Sequence, residues 1–360
     1  MNRRHIPRRR ILKAGLYGST LLALPSLAAV MNARGFTHGV ASGEPDSSSV
    51  LLWTRYVSDS ETRLRVEIAT DTLFTRVVAA SEALATPERD FTARTVMTGL
   101  APGRWYFYRF IAPDGRTSQV GRTRTLPVGE TSRFGLGLMS CSNLGFGWFN
   151  AYAHACERSD LDIIVHVGDY IYESTNPRLA IRKHTGGEPK TLDEYRQRYA
   201  LYKSDPHLQA SHAAHPWLLM WDDHEVVNDY ANDLDNKFND PQVFLRRRAA
   251  AYQAYFEHMP VRLGPDPASP SQMRIHDRMA WGTLADLWTL DCRQYRDHHA
   301  CPDLMRGGGR VVMGCDALND PSRSMLGMPQ EQWLTAGLTQ SQRRWKLLAQ
   351  STLMATSGFQ

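Results

Sequence analysis

An apolar run at residues 163–165 leads directly into the segment 165–173, Val-His-Val-Gly-Asp-Tyr-Ile-Tyr-Glu. Such a run predicts a buried strand of a parallel sheet, because strands that are covered on both faces are apolar throughout. The strand is expected to end at Gly168, which puts Asp169 and Tyr172 just past its carboxyl end, where open α/β sheets carry their chemistry. A loop aspartate is more often a turn or cap residue, so this segment alone leaves both interpretations open.

The pattern of predicted elements changes near residue 130. Residues 36–126 contain short, alternating or aromatic-rich runs separated by turns, which predicts a small β-sandwich of immunoglobulin or fibronectin type. From residue 133 to 360, apolar strands alternate with helical stretches, which predicts an α/β layered domain. Strands are predicted at 49–55, 63–68, 105–110, 134–139, 162–167, 217–221 and 283–290, helices at 149–158, 191–202, 243–258 and 341–350, and a further core strand at 352–355.

The basic character of the chain is concentrated in residues 1–29. They contain six of the basic side chains and no acidic one, and subtracting six from the formal charge of +5 leaves −1 for the remainder. A nucleic-acid-binding surface is therefore not indicated. Three consecutive arginines, Arg8 to Arg10, precede Ile-Leu-Lys and an apolar, small-residue stretch, which resembles a twin-arginine (Tat) export signal. We expect a cleaved leader, the Tat translocase as export partner, a periplasmic or secreted monomer and no stable membrane anchor; a retained anchor is the less favoured alternative.

Three predicted strands end in residues that can bind metals. Because the carboxyl ends of parallel strands meet at one edge of a sheet, these side chains are expected to converge. A carboxylate can bridge two cations that clamp a phosphate and activate a water. Thiolate and phenolate ligands suit an oxidised transition metal, and carboxylates suit Ca²⁺. The residues that the three strand ends offer are Cys141, then Asp169 and Tyr172, and then Asp222, Asp223 and His224, of which His224 is suited to contact a phosphoryl group.

Six segments carry a wider resemblance: 38–45, 140–143, 166–173, 195–199, 221–225 and 290–296. Together they resemble the alkaline phosphatase D (PhoD-like) family of the calcineurin-like metallophosphatases. The resemblance implies an exported phosphoesterase with a β-sandwich before a four-layer αββα catalytic domain, and a centre of Fe³⁺ and Ca²⁺. Phosphate monoesters and diesters are both compatible with it.

The resemblance also implies roles for single residues. Cys141, Asp169 and Tyr172 become iron ligands, and Asp169 binds calcium together with Asp223 or Asp222. His224 and Asp223 are then the catalytic residues, and Asn143 and Arg293 contact the phosphate-ester substrate. The resemblance implies a threonine at position 292 in many relatives, which argues against a ligand role for Cys292. We therefore interpret Cys292 as a core residue.

The C-terminal third of the sequence raises two further expectations. Cys301 and Cys315 lie in a Gly- and Asp-rich loop of an exported chain, which favours a disulfide between them. The family resemblance implies a further strand end with a Gly-Asp-x-His motif, and none follows residue 296. We therefore expect a truncated phosphatase of low activity that tends to aggregate. The alternative function is that of a catalytically impaired, exported binding protein on the same scaffold.

Overall fold

The computed structural model describes residues 33–303, 312 and 314–354, which form a mixed α/β architecture, as predicted. The predicted leader, residues 1–29, lies outside the described residues. None of the helices within them has the length and apolar character needed to cross a membrane. The described strands are β1 (Gly35–Gly43), β2 (Val50–Val57), β3 (Thr62–Ala69), β4 (Val77–Ala85), β5 (Thr92–Met97), β6 (Trp105–Ile111), β7 (Gly121–Arg124), β8 (Leu136–Met139), β9 (Ile163–Val167), β10 (Pro216–Met220), β11 (Asp277–Trp281), β12 (Ala285–Thr289) and β13 (Trp345–Ala349). The helices are α1 (Asn150–Cys156), α2 (Leu192–Lys203), α3 (Pro206–Ala214), α4 (Pro241–His258) and α5 (Met328–Gln340).

A six-stranded sheet joins the N-terminal strands to the strands that carry the predicted site. Its order is β5-β2-β1-β10-β9-β8 in the described part of the chain. Strands β8, β9 and β10 are parallel, as their apolar character predicts, and β1 pairs in parallel with β10 through Ser42 and Pro216. The two predicted domains are therefore linked by backbone hydrogen bonds within one sheet.

A second N-terminal sheet, in the order β4-β3-β6-β7, packs over β1, β2 and β5. Along β6 the side chains alternate between buried and partly exposed, which is the pattern of a strand with one covered face. The core between these sheets contains buried residues from six of their strands, among them Val40, Leu52, Val66, Ala93 and Phe110.

The remaining sheet, β11-β12-β13, shares a larger core with the parallel strands. Ile164, Trp217 and Trp288 are all fully buried in it. Helix α2 begins with a capping box in which Thr191 and Glu194 bind each other's backbone N–H groups, and α2 packs against α4. Strands β9 and β10 are almost fully buried, so the accessible side chains of these two strands lie at their ends.

The prediction of a helix at 341–350 was wrong. The segment contains strand β13, which pairs in parallel with β12, and the preceding helix is α5. Leucine and lysine in this segment favour a helix when isolated, but the pairing with a buried neighbouring strand overrides this weak preference. Residues 352–354 form no strand, contrary to the prediction, and Leu353 and Met354 are exposed; residue 355 lies outside the described residues.

A disulfide joins Cys301 to Cys315, at a sequence separation of 14. Because such a link restricts the unfolded chain, replacing both cysteines by serine is expected to lower the free energy of unfolding by about 3 kcal/mol. Urea unfolding of the double variant measures this, with Cys156→Ser as the control because Cys156 is a free thiol. Equal stability of the double variant and the unchanged protein would contradict the expectation.

Candidate metal centre

The ends of β9 and β10 approach each other closely at Gly168. Its φ is +106°, and a Cβ atom at this position would lie 2.3 Å from the backbone nitrogen of Asp222. Only glycine permits both this backbone conformation and this approach. The glycine therefore allows Asp169 to lie beside the segment that carries Asp222 and Asp223.

The ends of β8 and β9 are also tied together by backbone hydrogen bonds. The N–H groups of Cys141 and Ser142 donate to the carbonyl oxygens of Gly168 and Asp169, at 3.3 and 2.8 Å. Cys141 and Asp169 both adopt left-handed backbone conformations, with φ of 57° and 58°. Such conformations are unfavourable for residues other than glycine and persist where the surroundings enforce them, often at functional sites.

The carboxylate of Asp169 is the point at which the predicted ligands meet. Its Oδ2 accepts a hydrogen bond from the Tyr172 hydroxyl at 3.0 Å and one from the Cys141 thiol at 3.5 Å. Its Oδ1 is buried and has no hydrogen-bond partner among the described residues. A buried carboxylate oxygen without a partner is costly, which fits a site that holds a cation.

Asp223 and His224 complete the group around Asp169. Each of these three residues offers one ligand atom within 4.8 Å of the other two. Burial raises the pKa of Asp169 to about 6, and the carboxylate of Asp223 adds to this effect against the opposing charge of His224. A positive charge placed between the carboxylates would relieve both causes.

His224 is held by two contacts with the loop after β9. Its Nδ1 lies 2.6 Å from Glu173 Oε2, and its ring stacks on Tyr172 with 4.0 Å between the ring centroids. Burial lowers the pKa of His224, but the hydrogen bond and the charge of Glu173 outweigh it and raise the pKa to about 9. The imidazole therefore has a fixed orientation, with Nε2 as its remaining hydrogen-bonding atom.

Glu225 connects the two strand ends, a role that the sequence did not predict. Its buried carboxylate accepts backbone hydrogen bonds from Asp169 at 3.1 Å, from Tyr170 at 2.6 Å and from Asp222 at 2.9 Å. The only signal in the sequence is its position three residues after Asp222, which suits a carboxylate that folds back on its own loop.

Asp222 is engaged by Arg293. The guanidinium donates to both carboxylate oxygens of Asp222, at 2.6 and 3.1 Å, and lies 3.5 Å from Asp223. Ser351 adds a further hydrogen bond to Asp222 at 2.8 Å. The calcium role of Asp222 and the substrate contact of Arg293 stay predictions, and Asp223 is the carboxylate grouped with Asp169.

Asn143 and Cys292 are the remaining residues with a predicted role. Asn143 lines a cavity of about 470 Å³ beside Cys141 and Tyr172, and its Oδ1 accepts a hydrogen bond from the backbone of Gly145. Cys292 is buried in the larger core, as predicted. The structure thus brings together thiol, phenol, carboxylate and imidazole groups that can hold a metal.

Comparisons with known proteins find one family along most of the chain. The family described as "PhoD-like phosphatase" matches residues 136–358, and "PhoD-like phosphatase, N-terminal domain" matches residues 23–127. Alkaline phosphatase D of Bacillus subtilis (strain 168) is 39% identical over 90% of this chain and 57% of that protein. The solved structure described as "Structure of PhoD" is 38% identical with a TM-score of 0.83, covering 90% of this chain and 64% of that one. The chain therefore spans less than two thirds of the length of either relative.

Proposed function

The chain belongs to the PhoD-like phosphatase family, and from that premise we propose that it is an exported, metal-dependent phosphoesterase acting on phosphate monoesters or diesters. The observation that supports this most is the group formed by Asp169, Asp223 and His224. It combines a buried carboxylate oxygen that has no hydrogen-bond partner in the described part of the chain with an imidazole of raised pKa. Carboxylates that hold cations beside a hydrogen-bond donor suit the transfer of a phosphoryl group to water.

The proposed cations are Fe³⁺ and Ca²⁺. Cys141, Asp169 and Tyr172 would hold the iron, because thiolate and phenolate donors suit an oxidised transition metal. Asp169 together with Asp223 or Asp222 would hold the calcium. Such a pair of cations supplies positive charge to the phosphate and favours deprotonation of the attacking water.

The side chains of this chain have separate roles in the proposed reaction. His224, fixed by Glu173, donates a hydrogen bond from Nε2 to a phosphoryl oxygen on which negative charge develops. Arg293 neutralises Asp222 and Asp223 and keeps both carboxylates in place. Asn143 and Arg293 are the proposed substrate contacts.

Replacing His224 by alanine is expected to lower kcat by roughly 10²–10³-fold, the cost of removing one hydrogen-bond donor to the transition state. Both metals should stay bound, because the proposed ligand set does not include His224. Hydrolysis of a chromogenic phosphate ester and elemental analysis check this. His154→Ala is the matched control, since His154 is exposed on α1. An unchanged rate would refute the proposed phosphate contact.

The activity itself is tested by assaying one monoester beside one diester, with iron and calcium present, before and after chelation. Hydrolysis that chelation abolishes supports the proposed function. A protein that binds both metals and hydrolyses neither ester would contradict it and favour the alternative of an exported binding protein.

The proposal extends to export and architecture. We propose that residues 1–29 are a Tat leader and that the Tat translocase exports the protein. The exported protein is proposed to be a periplasmic or secreted monomer without a membrane anchor or nucleic-acid surface. The proposed architecture is a β-sandwich over residues 36–126 and a four-layer αββα domain over residues 133–360. The two cores support this division, since one is enclosed by N-terminal strands and the other contains the parallel strands and the sheet β11-β12-β13.

A further inference from the structure

Apart from the proposed substrate contact of Asn143, the cavity beside Cys141 and Tyr172 has no role in the proposed mechanism. It measures about 470 Å³, within the usual range for small-molecule sites. We propose, on the basis of the proposed phosphoesterase function, that this cavity receives the organic group of the phosphate ester and selects esters in which that group is aromatic. The walls of the cavity, its charge and the rigidity of its loop support this proposal.

The cavity is continuous with the candidate metal centre. Cys141 and Tyr172 belong to its wall, and both hydrogen-bond to the carboxylate of Asp169. An ester whose phosphate lies at Asp169 therefore has its organic group within reach of the cavity. The cavity is a subsite of the same reaction centre.

Two exposed aromatic side chains line the cavity. Phe146 is 52% exposed and Trp148 is 47% exposed, although both are large apolar residues. Exposed aromatic side chains that lie together at a cavity mark a binding surface more often than isolated ones do. Their rings can stack on a planar group of the ester, which a small alkyl group cannot match.

The side chains that line the cavity offer no charged group to the phosphate itself. None of the described residues that line it is an aspartate, glutamate, lysine, arginine or histidine. A phosphate dianion placed in this cavity, away from the iron proposed at Cys141 and Tyr172, would lose its hydration without gaining a positive side chain. The uncharged organic part of the ester is the part that fits, and Ser140 and Asn143 supply the few polar groups of the wall.

The indole ring of Trp148 is held on one face by a contact with Arg182. The guanidinium of Arg182 lies over its ring, 4.9 Å from the ring centroid, and covers one face. Arg182 is itself buried and paired with Asp205 at 2.6 Å. The indole is thus supported on the face that Arg182 covers, and it contributes to the cavity wall with the remainder of its surface.

The loop that carries both aromatic residues is also held at its backbone. Arg182 Nε donates to the carbonyl oxygen of Leu144 at 3.1 Å, and the N–H of Ile181 donates to that of Gly145 at 2.8 Å. The Tyr202 hydroxyl accepts a hydrogen bond from the N–H of Leu144 at 3.2 Å. A preformed wall loses little conformational entropy when a ligand binds, which favours selection by shape.

The test uses two phosphonates that cannot be hydrolysed, phenylphosphonate and methylphosphonate, titrated into the iron- and calcium-loaded protein by calorimetry. We expect phenylphosphonate to bind roughly tenfold more tightly, the scale of one or two stacking contacts. The double variant Phe146→Ala with Trp148→Ala should lose this preference and keep its affinity for methylphosphonate. Trp148→Phe alone should retain most of the preference, because it keeps an aromatic face.

Trp345→Ala is the control, since Trp345 is 58% exposed at the start of β13 and does not line the cavity. Thermal unfolding establishes that each variant is folded. The proposal would be overturned if the unchanged protein bound both phosphonates equally well or bound neither. It would also be overturned if the double variant kept the preference for phenylphosphonate or lost its affinity for methylphosphonate in parallel. A failure of the proposed function is seen separately, as a preference for phenylphosphonate in a protein that does not hydrolyse phenyl phosphate.

Discussion

Replacing Asp169 by asparagine is expected to remove both metals and to lower activity by at least about 10³-fold, the upper range for a single electrostatic group in a reaction centre. Asparagine keeps the shape of the side chain but loses the negative charge. Oδ2 of Asp169 accepts hydrogen bonds from Cys141 and Tyr172, and Oδ1 is buried without a hydrogen-bond partner among the described residues. If Asp169 bridges the two proposed cations, both should be lost together.

Elemental analysis and an ester-hydrolysis assay of Asp169→Asn measure this result. Asp59→Asn is the control, because its side chain is 93% exposed and the substitution makes the same chemical change. Full occupancy of both metals in Asp169→Asn would exclude a bridging role. Loss of only one metal would restrict Asp169 to a single cation.

Replacing Glu225 by alanine is expected to lower the free energy of unfolding by about 3–5 kcal/mol, the cost of leaving buried polar groups without their partner. The carboxylate is 1% exposed and accepts three backbone hydrogen bonds. Without it, the N–H groups of Asp169, Tyr170 and Asp222 lose their acceptor at once. The two strand ends should then separate more easily, and metal affinity should fall with stability.

Urea unfolding in the absence of metals isolates the stability effect from metal binding. Glu157→Ala is the control, since Glu157 is exposed at the end of α1. The free energy of unfolding of Glu225→Gln should lie between those of Glu225→Ala and the unchanged protein. The amide keeps one acceptor oxygen but has an N–H donor in place of the other. A loss below about 1 kcal/mol in Glu225→Ala, the range of ordinary substitutions, would show that water satisfies these N–H groups.

The elements that the sequence predicted are those with a clear pattern. The apolar run before Gly168 gave the parallel strand β9, and the alternating segment at 63–68 lies within β3. The segment 341–350 was misjudged because its residues favour a helix locally, and only its distant pairing with β12 makes part of it a strand. Local patterns thus predict elements whose periodicity and environment agree, and they fail where a long-range contact decides.

The same limit applies to the site. Strand-end positions were sufficient to group Cys141, Asp169 and Tyr172, because parallel strands bring their carboxyl ends together. The contact between Glu173 and His224 joins residues 51 positions apart, and no periodicity reports it. The inward turn of Glu225 is equally invisible, since its sequence context also suits an exposed helix start.

The parallel pairing of β1 with β10 cannot form until the ribosome has synthesised β10. Ser42 and Pro216 are paired neighbours, yet they lie about 170 residues apart in the sequence, a separation typical of slow-folding topologies. At 5–20 residues per second, the ribosome needs roughly 10–35 s to deliver β10 after β1 has been made. During that interval β1 keeps an open edge that can pair with other chains, and a holding chaperone that covers this edge would increase the yield of folded protein.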